Sequence, residues 1–87
     1  MNSFEIKPAM FSTYILFSDK LNNYYVGQTE DLIQRMVDHN AGRSKFTKSG
    51  RPWELVYHVE FQTRSEAIFL EARIKRRGIN RYLKETI

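Results

Sequence analysis

The chain has 87 residues and no cysteine, so one domain is expected, and disulfide staples, thiolate zinc sites and cysteine nucleophiles are excluded. Hydrophobic residues at 41% and aromatics at 14% suit a folded globule rather than a disordered tail. The net charge of +4 is mild, but its placement is uneven: residues 43–51 hold four basic groups and no acid, and residues 73–84 hold six and no acid. Such clusters suit a polyanion, or simply a solvated basic surface. No apolar run reaches the length of about 18 residues that a membrane span needs. The start, "MNSFEIKPAMF", lacks the basic and apolar blocks of a secretory signal, so a cytoplasmic location is the default expectation.

In chain order, residues 1–11 are weakly patterned and are expected to form an irregular arm, with the domain over 12–87. "STYILFS", 12–18, is rich in β-branched and aromatic types, and "YYVGQ", 24–28, resumes that pattern after "DKLNN". This predicts a hairpin with a five-residue connection. Strand alternation puts Tyr14 with Leu16 on one face, and Tyr25 with Gly27 opposite Tyr24 and Val26. Gly27 opens space beside Tyr25. Thr29 is the expected cap of a first helix, with Glu30 and Asp31 in its first turn and Gly42 as its stop. Leu32, Ile33, Met36 and Val37 form its apolar stripe. A basic loop, 43–52, leads to a third strand, 53–61, with Leu55, Tyr57, Val59 and Phe61 on one side. "TRSE", 63–66, is a capping box for a second helix that stops at Gly78, and a short final helix follows. The fold class is therefore α+β: a small three-stranded antiparallel sheet flanked by helices, in the order β-β-α-β-α-α.

Two helix faces carry polar groups of interest. Arg35 and His39 are four residues apart, about 40° around the first helix, so two cation-capable groups share one flank. They could hold a phosphate, or be ordinary solvated side chains. On the second helix Glu71 falls about 40° from Ala67, inside the apolar arc made with Leu70 and Ile74. A carboxylate there must pair, protonate, bind a metal or face a cleft. Lys75, one turn on, offers a simple ion pair. The sharper alternative is a single carboxylate ligand for Mg²⁺ or Mn²⁺.

"TYIL", "YYVGQTEDLIQRMVDHN" and "SEAIFLEARIK", in that order, resemble the GIY-YIG nuclease domain in its short stand-alone form. The resemblance covers residues 12 to 84. The first motif here is "STY", so only its tyrosine, Tyr14, is kept; the second is "YVG", which keeps Tyr25 and Gly27. Ten residues separate Tyr14 from Tyr25, and Arg35 lies ten after Tyr25, as in that family. His39 and Glu71 match the positions of its histidine or tyrosine and of its metal-binding glutamate.

The resemblance implies a metal-dependent endonuclease that hydrolyses DNA phosphodiester bonds, with RNA left open. Glu71 would hold one Mg²⁺ or Mn²⁺, and Arg35 would stabilise charge on the phosphate. Tyr14 and Tyr25 would position or deprotonate water, His39 would relay a proton or hold phosphate, and Tyr24 would point away. Arg43, Lys45, Lys48 and Arg51 in the loop, with Lys75, Arg76 and Arg77, are the expected backbone contacts. Phe46 is expected to pack on the core rather than to stack on a base. A chain this short leaves little room for a recognition domain, so low sequence specificity is expected. Targeting would come from a partner protein or from DNA shape, as in repair or recombination. The alternatives are a non-catalytic nucleic-acid-binding module on the same fold, and a protein-interaction domain with an acidic partner.

Overall fold

A computed structural model describes residues 10–87. The elements are β1 (Phe11–Ser18), β2 (Asn23–Thr29), α1 (Leu32–Ala41), a 3₁₀ turn (Lys48–Gly50), β3 (Trp53–Phe61), α2 (Arg64–Arg77) and α3 (Ile79–Thr86). The order β-β-α-β-α-α and the α+β class are as the sequence predicts. The expected arm, 1–11, lies mostly outside the described residues, and Phe11 already belongs to β1.

The sheet is antiparallel with order β2-β1-β3, so β1 is central. That position explains its composition. Thr13, Tyr14, Ile15 and Leu16 are all buried, because helices cover both faces. One face carries Tyr14, Leu16 and Trp53, packed against Tyr25, Leu32, Met36 and Leu55. The other carries Ile15, Val26 and Ile74, packed against Tyr24, Tyr57, Leu70 and residues of α3. Each cluster holds one side of the sheet to its own helices. Thr13, buried among apolar groups, donates its hydroxyl to the Ala67 carbonyl at 2.7 Å, so its polar atom is satisfied. Ala67 itself is fully buried, and its small side chain lets α2 approach the strand closely.

Several local expectations are corrected. The hairpin connection is four residues, Asp19 to Asn22, because Asn23 pairs with Ser18; Asn22 takes a left-handed φ of 51°. Asp31, not Thr29, caps α1, its carboxylate accepting from the Gln34 amide at 3.1 Å. Thr29 ends β2 and instead accepts from the Asp31 amide. Glu66 meets the hydroxyl of the cap residue Thr63 at 2.8 Å, while that oxygen accepts from the Glu66 amide.

The third strand departs most from simple alternation. Ile15 pairs with Tyr57, but the next residue, Leu16, pairs with Leu55. Val56 is therefore the extra residue of a β-bulge. Leu55 and Tyr57, two apart, consequently sit on opposite faces, in different core clusters. The apolar stripe of α1 is also narrower than expected. Leu32 and Met36 pack, whereas Ile33 is 81% exposed and Val37 is exposed as well. On α2, Ile68 is likewise exposed.

These burials predict distinct costs. Ile74→Ala, in the packed interior, is expected to lower unfolding stability by about 2–5 kcal/mol. Ile33→Ala, on open surface, is expected to change it by less than about 0.5 kcal/mol. Urea denaturation of the two variants beside the parent chain checks both.

Candidate active site

The alternation that packs the half-buried Tyr24 against the far cluster turns Tyr25 to the α1 face, beside Tyr14. In the β1–β2 register Tyr14 stands opposite Gly27. A Cβ at Gly27 would lie 2.6 Å from the Tyr14 hydroxyl and 3.1 Å from the Tyr25 ring. The absent side chain is thus the space that admits the Tyr14 hydroxyl over β2. The tyrosine rings sit 6.4 Å apart, and Trp53 closes the far side of Tyr25 at 6.3 Å.

α1 brings His39 down onto this pair. Its ring is 5.8 Å from Tyr14 and 5.2 Å from Tyr25, edge-on to each. His39 is fully buried, and both ring nitrogens have partners. Nε2 lies 2.9 Å from the Tyr14 hydroxyl and Nδ1 lies 2.7 Å from Thr47 Oγ1. The Thr47 hydroxyl donates to the Ser44 carbonyl, so its oxygen is free to accept from Nδ1–H. We assign the neutral tautomer from this network: with the Thr47 hydroxyl directed to the Ser44 carbonyl at 3.4 Å, the ring proton is placed on Nδ1 and Nε2 accepts from the Tyr14 hydroxyl. Thr47 is held in turn by its carbonyl, which accepts from Trp53 Nε1 at 2.6 Å and from the Gly50 amide at 3.1 Å. Asn40 clips the same corner, bonding the Trp53 amide at 2.6 Å and its carbonyl at 3.2 Å.

The electrostatics follow from burial. Desolvation, then the Arg35 charge, push His39 down to about 4, so it is neutral near pH 7. Desolvation pushes Tyr14 up to about 12, against the favourable charge of Arg35. Tyr14 is therefore a phenol, not a phenolate. For Arg35, burial disfavours its charge, but the Tyr14 and Tyr25 hydroxyls outweigh that and raise its pKa. Its guanidinium is thus near enough to both hydroxyls to interact with each.

Glu71 approaches from α2. Its carboxylate meets the Lys75 ammonium at 3.1 Å, the simple helix pair, with 21% of its side chain exposed. It is also near enough to Tyr14 for its charge to raise the phenol pKa. Both readings of Glu71 thus have support in its surroundings. No cluster of three or more His, Asp or Glu side chains exists among the described residues. One accessible hard oxygen donor fits a Mg²⁺ or Mn²⁺ ion that keeps waters and takes substrate oxygens. It does not fit a closed structural site.

The basic residues divide. Lys45, Lys48 and Arg76 are exposed. Arg43 pairs with Asp38 at 2.8 Å, and Arg51 donates to the Lys48 carbonyl at 2.9 Å while lying over Gly42. Arg77 grips Glu85 through two bonds of 2.7 and 2.6 Å. Exposed ion pairs of this kind contribute little to stability. Phe46 is not packed on the core as expected: it is 84% exposed. Thr47 escapes a reading of the sequence, since its segment registers only as basic.

An α+β domain that joins tyrosine hydroxyls, a guanidinium and a buried neutral imidazole is equipped to move protons beside an anion. Residues 10–82 match the model of the GIY-YIG catalytic domain. The chain belongs to the GIY-YIG family, a family of nucleases. It is 48% identical over 56 residues to a UPF0213 protein of Listeria monocytogenes, a match covering 63% of each chain. It is 44% identical over 68 residues to a UPF0213 protein of Listeria innocua, covering 74% of this chain and 76% of that one. The chain thus spans less than two thirds of the first relative and about three quarters of the second. The solution structure of a UPF0213 protein from Bacillus halodurans is similar, with a TM-score of 0.52, 30% identity and coverage of 87% of this chain and 79% of that one. No helix among the described residues is long and apolar enough to cross a membrane.

Two outcomes are expected. Gly27→Ala displaces the Tyr14 phenol and lowers unfolding stability by about 1–3 kcal/mol, read by urea titration. For His39, the folded pKa of about 4 lies below the ordinary 6.5. Between those values the unfolded chain binds a proton that the folded chain excludes, so stability rises with pH across this window. Its contribution is complete above the upper value and is lost as pH falls towards the lower. It amounts to on the order of 3 kcal/mol. Urea titrations near neutral pH and near the lower limit are expected to differ less for His39→Gln than for the parent chain.

Proposed function

We propose that this chain is a metal-dependent endonuclease that hydrolyses DNA phosphodiester bonds with little intrinsic sequence preference. The observation that carries the reading is the bond from the Tyr14 hydroxyl to His39 Nε2, at 2.9 Å, with Arg35 against the same phenol. A phenol near pKa 12 is a poor base alone. Coupled to an imidazole, it becomes a conduit. As a water adds to phosphorus, its proton passes to the Tyr14 oxygen while the Tyr14 proton passes to Nε2. The water oxygen forms the new bond to phosphorus as the bond to the leaving oxygen breaks; the leaving oxygen departs with the bonding pair and takes a proton from solvent, and the imidazolium returns its proton to solvent. Thr47 accepts the Nδ1–H throughout and holds the imidazolium that forms.

Substrate itself strengthens the base. After burial, the charge of Arg35 is what holds His39 down. A phosphate bound to that guanidinium offsets its field and lets the imidazole take the proton. Arg35 meanwhile stabilises charge on the phosphoryl oxygens through its planar fork. Tyr25, in reach of the same guanidinium, orients the water or phosphate. Glu71 would hold the divalent ion, which when bound supplies Lewis-acid polarisation and stabilisation of the leaving oxygen. Lys75 would then be released towards the nucleic-acid backbone. Lys45, Lys48 and Arg76, with Arg43, Arg51 and Arg77 released from their exposed partners, supply sequence-independent affinity that falls with salt. RNA stays open as a substrate.

The Lys75 pair of Glu71 favours one rival, a nucleic-acid-binding module without catalysis. A nicking assay on supercoiled plasmid with Mg²⁺ or Mn²⁺ separates them. The parent chain is expected to nick. Arg35→Ala and Tyr14→Phe are each expected to slow nicking by about 10²–10³-fold, and Glu71→Ala to abolish the metal-stimulated rate. DNA binding without nicking by the parent chain in either metal would leave the rival standing.

A further inference from the structure

We propose that Phe46 is a base-stacking residue that selects unpaired nucleobases beside the cleavage site; this rests on the nuclease reading above and names its substrate class. Phe46 leaves 84% of its surface exposed. A large aromatic in a small domain is ordinarily a core residue, and here its neighbour takes the interior place. Thr47 is fully buried, bonded to His39, and fixed through its carbonyl to Trp53 and Gly50. The Thr47 amide also donates to the Ser44 carbonyl at 3.2 Å. Anchored so, the turn holds Phe46 out to solvent, one peptide unit from the residue that bonds His39.

The surroundings say what the ring meets. Lys45 and Lys48 flank it and are exposed, and residues 40–53 contain no Asp or Glu. A cationic loop with a protruding aromatic complements a polyanion that also offers flat apolar faces, which is the chemistry of a single nucleic-acid strand. In a duplex those faces are occupied by neighbouring bases. Phe46 therefore gains a contact only where bases are unstacked: a single strand, a flap or a frayed end. Its neighbour Thr47 ties this turn to His39, so a strand stacked on Phe46 is held by the same loop that packs against the site. An acidic protein partner would reward the lysines but not the ring in this way.

The test is fluorescence anisotropy with the full chain, no added divalent metal, and three labelled probes. These are a single-stranded DNA 12-mer, the same strand with its bases removed at successive sites, and the matching duplex. The parent chain is expected to bind the base-bearing strand more tightly than the abasic one. Phe46→Ala is expected to weaken the base-bearing strand by about 5- to 100-fold, leaving the abasic strand and the duplex unchanged. Phe46→Trp is expected to keep the affinity. Equal binding of the base-bearing strand by Phe46→Ala and the parent chain would overturn the inference and leave the nuclease reading intact. Absence of DNA binding by the parent chain would overturn both. A Phe46-dependent preference in a chain that never nicks would uphold the stacking role and remove only the catalytic one.

Discussion

The site depends on one constraint: a fully buried histidine must have both ring nitrogens satisfied without carrying charge. An imidazolium in that position would pay for desolvation beside the Arg35 cation. The neutral ring instead needs one donor and one acceptor, at opposite ends. Tyr14 supplies the donor and Thr47 the acceptor. Those partners come from distant parts of the chain, so their positions are tied together by the one ring. The first ties the ring to the central strand and the second anchors the basic loop. A loop rich in Lys, Arg, Ser and Gly has little propensity of its own, and Thr47 and Trp53 give it a defined path.

Much else in the fold serves this junction. The central strand is buried on both faces, which fixes Tyr14 between its neighbours and leaves the phenol one direction to point. Gly27 gives the hydroxyl room. The bulge at Val56 re-aims β3, so that Leu55 and Trp53 pack under α1 while Tyr57 joins the α2–α3 side. Without it one of the two core clusters would lose an aromatic or a leucine. Glu71 comes from the helix layer on the other side of the sheet, yet its charge is felt at Tyr14. Two layers thus act on one phenol, one through a hydrogen-bonded imidazole and the other through a carboxylate's charge.

The sequence made the larger frame legible. Strand alternation separated Tyr25 from Tyr24, helical spacing joined Arg35 to His39, and glycines marked the ends of α1 and α2. It was less informative where local rules compete. Thr29 and Asp31 are both good caps, and hydrogen bonding at the end of β2 decided for Asp31. A bulge hides inside an apparently regular run from Trp53 to Phe61, because alternation is read along one strand while register is set by its partner. Thr47 and Phe46 were inverted for a related reason. Burial there follows from a polar partner, His39, and not from hydrophobicity. No pattern of residue types announces that a threonine will go inside and a phenylalanine outside.

The central claim is that His39 is neutral in the folded chain, with its proton on Nδ1 and its Nε2 accepting from Tyr14. Long-range ¹H–¹⁵N NMR of the histidine ring tests it most directly, with His58→Gln used to assign the signals. The account predicts a neutral ring protonated at Nδ1 near pH 7, staying neutral as pH is lowered past 6.5 towards about 4. A ring protonated at Nε2, or an imidazolium already formed near pH 6.5, would contradict it.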